Sequence, residues 1–368
     1  MEIFKNKEVL DIEYIPTEEM LLYRGKEQDQ LRRVFKNISS VPNHLVCYGF
    51  TGTGKTCLTK FLMKKYIHQK FNERILYINT CSYPTELQAL SYIVSLLGFN
   101  VKGTNLSSHY NALKKVINDY DLHILIVLDE VDKLLNKSGD NLLYNLLDTG
   151  RISLIMITNN VTCFDKIEDR VKSRLGGMPR ILFPPYNAIQ IGEILQKRVA
   201  VGFNEGVFED TVAPRIAAIA AQEHGDIRKA INLLRATGEI AEEKGTKIRE
   251  EYIDMAHNLI ESNEISNLIT SLPPQARYVL TALCNSIRKL HAVDVGASTI
   301  YEEYLNVVKT YGVKELTDRR IADYIWELDN TGLTISRISS KRYGKERVVR
   351  LGVPINIITR ILERLENG

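Results

Sequence analysis

Residues 49–56 read Gly-Phe-Thr-Gly-Thr-Gly-Lys-Thr, a complete G-x-x-x-x-G-K-[ST] loop. Gly49, Gly52 and Gly54 let the backbone turn tightly, so that successive N–H groups converge on phosphate oxygens. Lys55 supplies a point charge for the β- and γ-phosphates, and the Thr56 hydroxyl is a magnesium ligand. Phe50, Thr51, Thr53 and Cys57 complete the same binding segment. A helix starting beside Gly54 adds its positive N-terminal dipole. The ligand class is therefore a nucleoside triphosphate with Mg2+.

Four further groups could act on such a ligand. Asp129 and Glu130 close the apolar run 123–128. The first is suited to hold magnesium through water, the second to polarise an attacking water as general base. Asn159 ends another apolar run, where an amide can reach a γ-phosphate or orient the water. Arg170 and Arg174 lie four apart on one helix face. Arginine stabilises transferring phosphoryl charge, often from a neighbouring subunit, but without further context the pair is a solvated basic helix. In 224–230, Gly225 ends one helix and Asp226 can cap the next. That puts Arg228 in a first turn, facing either phosphate or solvent.

These residues need a scaffold, and the hydrophobic pattern predicts one. Short apolar runs at 44–48, 74–78, 123–128, 152–157 and 180–183 read as central strands of a parallel sheet. Helices fall between them near 26–38, 55–69, 85–97, 107–119 and 140–147, the alternation of an α/β fold. After residue 186 only helical patterns follow, at 188–201, 209–224, 227–244 and 250–262. Pro273 and Pro274 mark a new start. Helices at 274–289, 299–311 and 317–330 then precede strands at 334–340 and 346–351, with Tyr343 and Gly344 at the turn. This is a winged-helix pattern. The expected division is an α/β nucleotide-binding domain over 1–185, a helical lid over 186–270 and a winged helix over 271–368.

Composition sets the outer bounds. The chain has 368 residues, 44% hydrophobic and 25% charged, as in ordinary globular proteins. No apolar run approaches the ~20 residues of a membrane span, and the first residues do not resemble a signal peptide. The expectation is a cytoplasmic, nucleoid-associated protein with no membrane partner. Five cysteines without a C-x-x-C pair argue against a zinc site or a disulfide framework. A net charge of +3 does not mark a nucleic-acid binder, but its distribution is uneven. Six of the residues from Arg337 to Arg350 are basic and one is acidic. Lys341, Arg342, Lys345 and Arg347 surround Gly344, where a bare backbone can approach DNA closely. Arg319 and Arg320 open helix 317–330, at the end that enters a major groove, and Tyr324 and Trp326 read as core or rim. Spacing alone fits DNA contact and a solvated or protein-binding hairpin alike.

Taken in order, these motifs resemble the AAA+ ATPases, and among them the archaeal replication-initiator family related to the origin recognition complex and its helicase-loading partner. Residues 13–16 (Glu-Tyr-Ile-Pro) and 22–24 (Leu-Tyr-Arg) are similar to that family's adenine-side segment. Residues 78–80 and 103–107 resemble its initiator-specific insertion, and 169–175, 183–186, Gln190, Ile194, Leu195 and 225–228 resemble its later boxes. Gly25 and Gln88 stand where acidic and basic residues are expected, and Asn105 replaces a glycine. The resemblance implies an ATP/ADP site bordered by Ile15, Pro16, Arg24 and Tyr186. It also implies Asn159 as sensor 1, Arg228 as sensor 2, Arg174 as a finger acting in trans and Arg170 as a tether. It further implies a slow ATPase switch that recognises double-stranded origin DNA, works with initiator paralogues and helps load the replicative helicase (MCM). A nucleotide-regulated transcription factor or signalling ATPase would share the loop and the wing. A clamp-loader-like machine would lack the wing.

Overall fold

Alternating apolar residues make the scaffold. A computed structural model describes residues 1–39, 41–67, 72–103, 105–175, 177–341 and 344–366, with the side chains of 161, 340, 341, 344, 345 and 366 outside that description. The predicted DNA contact Arg342 and the side chains of Lys341 and Lys345 thus lie outside the described residues, as do Thr104 and the expected turn residue Tyr343. The chain divides into two units, Met1–Ile253 and Asp254–Gly368.

In the first unit, α1 (Gly25–Lys36) precedes β1 (His44–Tyr48), α2 (Lys55–Tyr66), β2 (Glu73–Asn79), α3 (Glu86–Leu96), α4 (Leu106–Asp119) and β3 (His123–Asp129). Then come α5 (Val131–Ser138), α6 (Asn141–Asp148), β4 (Ile152–Thr158), α7 (Asp169–Leu175) and β5 (Arg180–Leu182). Among the described residues the strands form one parallel sheet in the order β2-β3-β4-β1-β5. Successive side chains of a strand face opposite ways, and β3 feeds both cores. Ile124, Ile126 and Leu128 pack with α3, α4 and α6, while Leu125 and Val127 pack with α1 and α2. The sheet is therefore covered on both faces, as a parallel sheet requires. The C-terminal ends of β1, β3 and β4 carry the phosphate loop, Asp129 and Asn159 to one edge of the sheet, where open α/β sheets bind ligands.

Three helices follow, α8 (Ala188–Gly202), α9 (Val212–Gln222) and α10 (Ile227–Lys244). The N-terminal segment is stitched to them. The Lys5 N–H donates to the Gly202 carbonyl at 2.9 Å, and Ile3, Val9 and Leu10 are fully buried. Gly225 lets the turn before α10 sit on the chain at Tyr186, with φ +68° and room for no side chain.

The division between units falls inside α11 (Glu251–Ser271), which runs unbroken past the expected end at 262 because no proline interrupts it before Pro273. The second unit contains α12 (Pro274–Leu290), β6 (Val295–Gly296), α13 (Ala297–Thr310) and α14 (Asp318–Asn330). A hairpin of β7 (Thr334–Lys341) and β8 (Gly344–Leu351) and a last helix, α15 (Ile355–Glu366), complete it. The antiparallel order β6-β8-β7 and the three preceding helices make a winged helix. Its core gathers Leu280, Tyr304, Ile325 and Val349. The sequence reading omitted α5, β6 and α15. Ile358, Ile361 and Leu362 of α15 have helical spacing and are buried, a pattern eclipsed by the charge run before it.

A Cβ at Gly225 would meet the Tyr186 carbonyl oxygen at 2.3 Å, whereas Gly245, at φ +64°, has open space around it. Thermal and denaturant unfolding of Gly225→Ala should therefore show a loss on the order of 3 kcal/mol. The Gly245→Ala control should lose only about 1 kcal/mol.

Candidate functional site

The loop after β1 is held by backbone geometry that few residues other than glycine tolerate. Gly52 has φ +69° and lies so close to Asp226 that a Cβ would come within 1.7 Å of its Oδ1. Inside the loop the buried Thr53 donates from Oγ1 to the Phe50 carbonyl at 2.9 Å. Arg24 braces it from behind. Its Nε donates to the Thr53 carbonyl at 3.1 Å, its second terminal nitrogen donates to the Pro184 carbonyl at 2.6 Å, and its guanidinium lies 3.9 Å from the Tyr186 ring centre.

Lys55 is buried, and its Nζ donates to the Gly49 carbonyl at 2.8 Å and the Phe50 carbonyl at 2.6 Å. Burial lowers this ammonium to about 8, against the raising influence of Asp129 and with a lowering one from Arg228. A desolvated cation curled onto carbonyls is poised to exchange them for a polyanion.

Asp129 is pinned from three sides. Thr56 donates from Oγ1 to Oδ2 at 2.8 Å, Tyr77 donates to the same oxygen at 2.7 Å, and the Glu130 N–H donates to Oδ1 at 2.9 Å. Burial, with Asp129 beside it, pushes the Tyr77 hydroxyl well above its ordinary value, so it stays a donor. Thr56 and Asp129 are thus neighbours, the hard oxygen pair a magnesium ion needs. Glu130 follows in a left-handed conformation, φ +56°, at the turn from β3 into α5. The exposed Cys81 thiol donates to its carboxylate, which pushes the thiol up.

These groups line one cavity of about 370 Å³ together with Asn159, Ile15, Pro16, Tyr186 and Arg228. Thr51, Gly52, Thr53, Gly54 and Cys57 share the lining. Of the two amides after β4, Asn160 is engaged in capping, accepting from the Thr162 N–H at 3.0 Å, while Asn159 lines the cavity. Gly49 and Phe50 stand outside it. Gly49 packs on the Phe183 carbonyl, and Phe50 is exposed and stacks on His224.

Arg174 and Arg170 also stand apart. Both stack on Tyr144 at 4.7 Å, Arg174 pairs with Asp148 at 2.9 Å and Arg170 with Glu168 at 2.6 Å. Neither lines the cavity of its own chain.

Sequence reasoning did not assign Tyr77, Arg198 and Ile231 to the site, nor Asn79 and Ile194, which it knew only as parts of family-like segments; all five line the cavity. The in-register pairing of Asn79 with Asp129 brings β2 to the site, and no sequence signal announces a register. Arg198 is buried in the apolar end, donating to the Val9 carbonyl and lying over Tyr14, and burial lowers it from its ordinary value.

In the second unit, Arg319 and Arg320 are exposed at the N-terminal end of α14, where Arg320 pairs loosely with Asp323 at 3.4 Å. Arg347 sits on β8 opposite Ile338, and Arg337 is paired with Asp294. Tyr324 packs on the core, while Trp326 is exposed on α14. No helix among the described residues is long and apolar enough to cross a membrane.

Family models match three segments: an AAA domain over residues 38–163, a Cdc6 AAA+ ATPase-type lid domain over 192–258, and a CDC6 C-terminal winged helix domain over 267–361. The chain is 34% identical to ORC1-type DNA replication protein 1 of Sulfolobus acidocaldarius, over 98% of this chain and 93% of that one. It is 37% identical to the ORC1-type DNA replication protein of Thermococcus kodakarensis, over 95% and 88%. The fold is similar to that of the Aeropyrum pernix ORC1 protein in complex with DNA, with a TM-score of 0.86 and 33% identity over 99% of this chain and 97% of that one.

Two measurements test the site. Tyr77→Phe removes one of the donors that orient Asp129 and should weaken Mg2+-dependent nucleotide binding about tenfold, as outer-shell losses do, with nucleotide binding in EDTA unchanged. A bound polyanion raises the Lys55 value, so the protonated form is the one that binds. Affinity for ATP should then fall progressively as pH rises above about 8, which calorimetry across that range reads directly.

Proposed function

From the premise that this chain belongs to the ORC1/Cdc6 family of replication-initiator AAA+ ATPases, we propose that it is an ATP-binding initiator of DNA replication. In this reading it recognises double-stranded origin DNA through its winged helix. Together with initiator paralogues it helps recruit or load the replicative helicase (MCM). The observation that carries the nucleotide half is the single cavity shared by Lys55, Thr56, Asp129, Glu130, Asn159 and Arg228.

The residues present fit Mg2+ with ATP or ADP. The loop is shaped by close backbone approaches that exclude side chains, the buried lysine rests on two loop carbonyls and, at 3.5 Å, the Thr53 hydroxyl, and a hydroxyl and a carboxylate meet at one point. When bound, Mg2+ supplies charge neutralisation to the phosphates. Thr56 and Asp129 would hold it, and Tyr77 keeps the Asp129 carboxylate oriented. Lys55 binds the phosphate chain. Glu130, at the mouth of the α5 turn, accepts a proton from water at its carboxylate, and Asn159 orients that water. Ile15, Pro16 and Tyr186 enclose the base and ribose. Arg228, from the lid, registers the terminal phosphate.

Arg174 lies away from this cavity, which suits a finger acting on a neighbour's nucleotide. A finger contributes about 10³–10⁵ in rate in GTPase systems, so the isolated chain should hydrolyse slowly and behave as a switch. On the DNA side, Arg319 and Arg320 suit a major groove and the wing arginine Arg347 suits the phosphate backbone.

Genomic footprinting tests the whole reading: protection at replication origins is expected, and protection confined to promoters would point to a transcription factor instead. Lys55→Ala should abolish ATP binding. Arg347→Ala should lower the slope of log affinity for DNA against log salt by about one, and an unchanged slope would remove that residue from the interface.

A further inference from the structure

The lid touches the phosphate loop through its 224–228 turn. The His224 ring stacks on Phe50 with centroids 6.2 Å apart, and the Ile227 N–H donates to the Gly52 carbonyl at 3.3 Å. Between these contacts Asp226 is buried against Gly52 and accepts from the Thr51 hydroxyl. The same carboxylate holds Arg228. Its Oδ1 accepts from the Arg228 backbone N–H at 2.9 Å and from Nε at 3.3 Å, and its Oδ2 accepts from the terminal nitrogen at 3.1 Å. Burial raises the carboxyl, but the Arg228 guanidinium and the Thr51 hydroxyl more than offset this and leave it below its ordinary value. It is therefore an anion at neutral pH.

Capping α10 does not require that charge. Asn and Ser cap a helix as well as Asp does. Gly52 touches Asp226 from within the loop that cradles phosphate, so the anion stands directly against that loop. It also engages the guanidinium that a third phosphate would need. Arg228 is half exposed on the cavity wall, whereas Asp226 is buried between the loop and the helix N-terminus.

We propose that Asp226 is a positioning residue that competes with the γ-phosphate for Arg228 and so sets the protein's preference for nucleoside triphosphate over diphosphate. This inference rests on the nucleotide reading given under Proposed function. With a diphosphate, nothing draws Arg228 off Asp226. With a triphosphate, the guanidinium moves to the terminal phosphate, and the freed carboxylate keeps its contacts with Thr51 and Gly52, holding the lid turn on the loop. The ion pair thereby reports whether a third phosphate is present, and its strength sets the threshold.

Asp226→Asn and Asp226→Ser in the full chain remove the charge and retain a capping side chain. Calorimetry with Mg2+ and either ATP or ADP should show ATP binding about tenfold tighter, a typical coupling between sites, with ADP changed no more than about twofold. Arg228→Ala should lower the ATP preference, and Asp226→Asn on that background should leave the ATP-to-ADP ratio unmoved. The proposal is overturned if Arg228→Ala changes the ratio while Asp226→Asn and Asp226→Ser do not. It is equally overturned if Asp226→Asn shifts the ratio as much without Arg228 as with it. A ratio insensitive to Arg228→Ala would instead remove the premise that Arg228 senses phosphate. Loss of all nucleotide binding in the unmutated chain would end the nucleotide reading itself.

Discussion

The site is organised around the carboxylate of Asp129. It is a buried charge, and a buried charge is tolerable only when its oxygens are paired. Its three donors come from three different elements: Thr56 from the first turn of α2, Tyr77 from β2, and the backbone of Glu130 at the entrance to α5. Satisfying one carboxylate therefore aligns the phosphate loop, the neighbouring strand and the start of α5 at Glu130. The Thr80 hydroxyl closes the arrangement by donating to the backbone carbonyls of Asp129 and Glu130. The left-handed turn at Glu130 is held in place by this set of contacts, as strained backbone at a functional position must be.

The two ends of the cavity obey different physics. The phosphate end is polar and partly desolvated, with Lys55 resting on loop carbonyls until an anion replaces them. The opposite end is apolar, formed by Ile15, Pro16, Ile194 and Ile231, with Arg198 as its one strongly polar member among those named. Arg198 is held there by the Val9 carbonyl and the Tyr14 ring. The N-terminal segment thus has two tasks, walling the cavity and tying itself to α8. That is why Ile3, Val9 and Leu10 are buried while the charged residues between them stay in solvent.

The winged helix follows another principle. Its fold presents Arg319 and Arg320 exposed at the start of α14 and Arg347, half-buried, on β8. Tyr304 and the apolar faces of α12, α14 and α15 lie in its core. Some of the positive charge is already neutralised, Arg337 by Asp294 and Arg320 by Asp323. Exposed pairs of this kind are worth little to stability.

Much of this protein was legible in the sequence because the chemistry is local. Residues 49–56 are contiguous, so their loop could be read whole, and the apolar runs announced β1 to β5 by composition. Gln88, odd as a substitution, proved to be the reciprocal partner of Thr85 in a capping box. Other features were out of reach. Tyr77 joins the site only because β2 pairs in register with β3, and a register is set by packing across the sheet. Asp226 looked like a simple helix cap until the lid was seen folded onto Gly52. The sequence by itself determined the ligand class and the elements that bear its contacts, because both are written in adjacent residues. Only the tertiary structure decided which distant side chains share one carboxylate or one guanidinium, because those meetings depend on strand register and on how the lid packs.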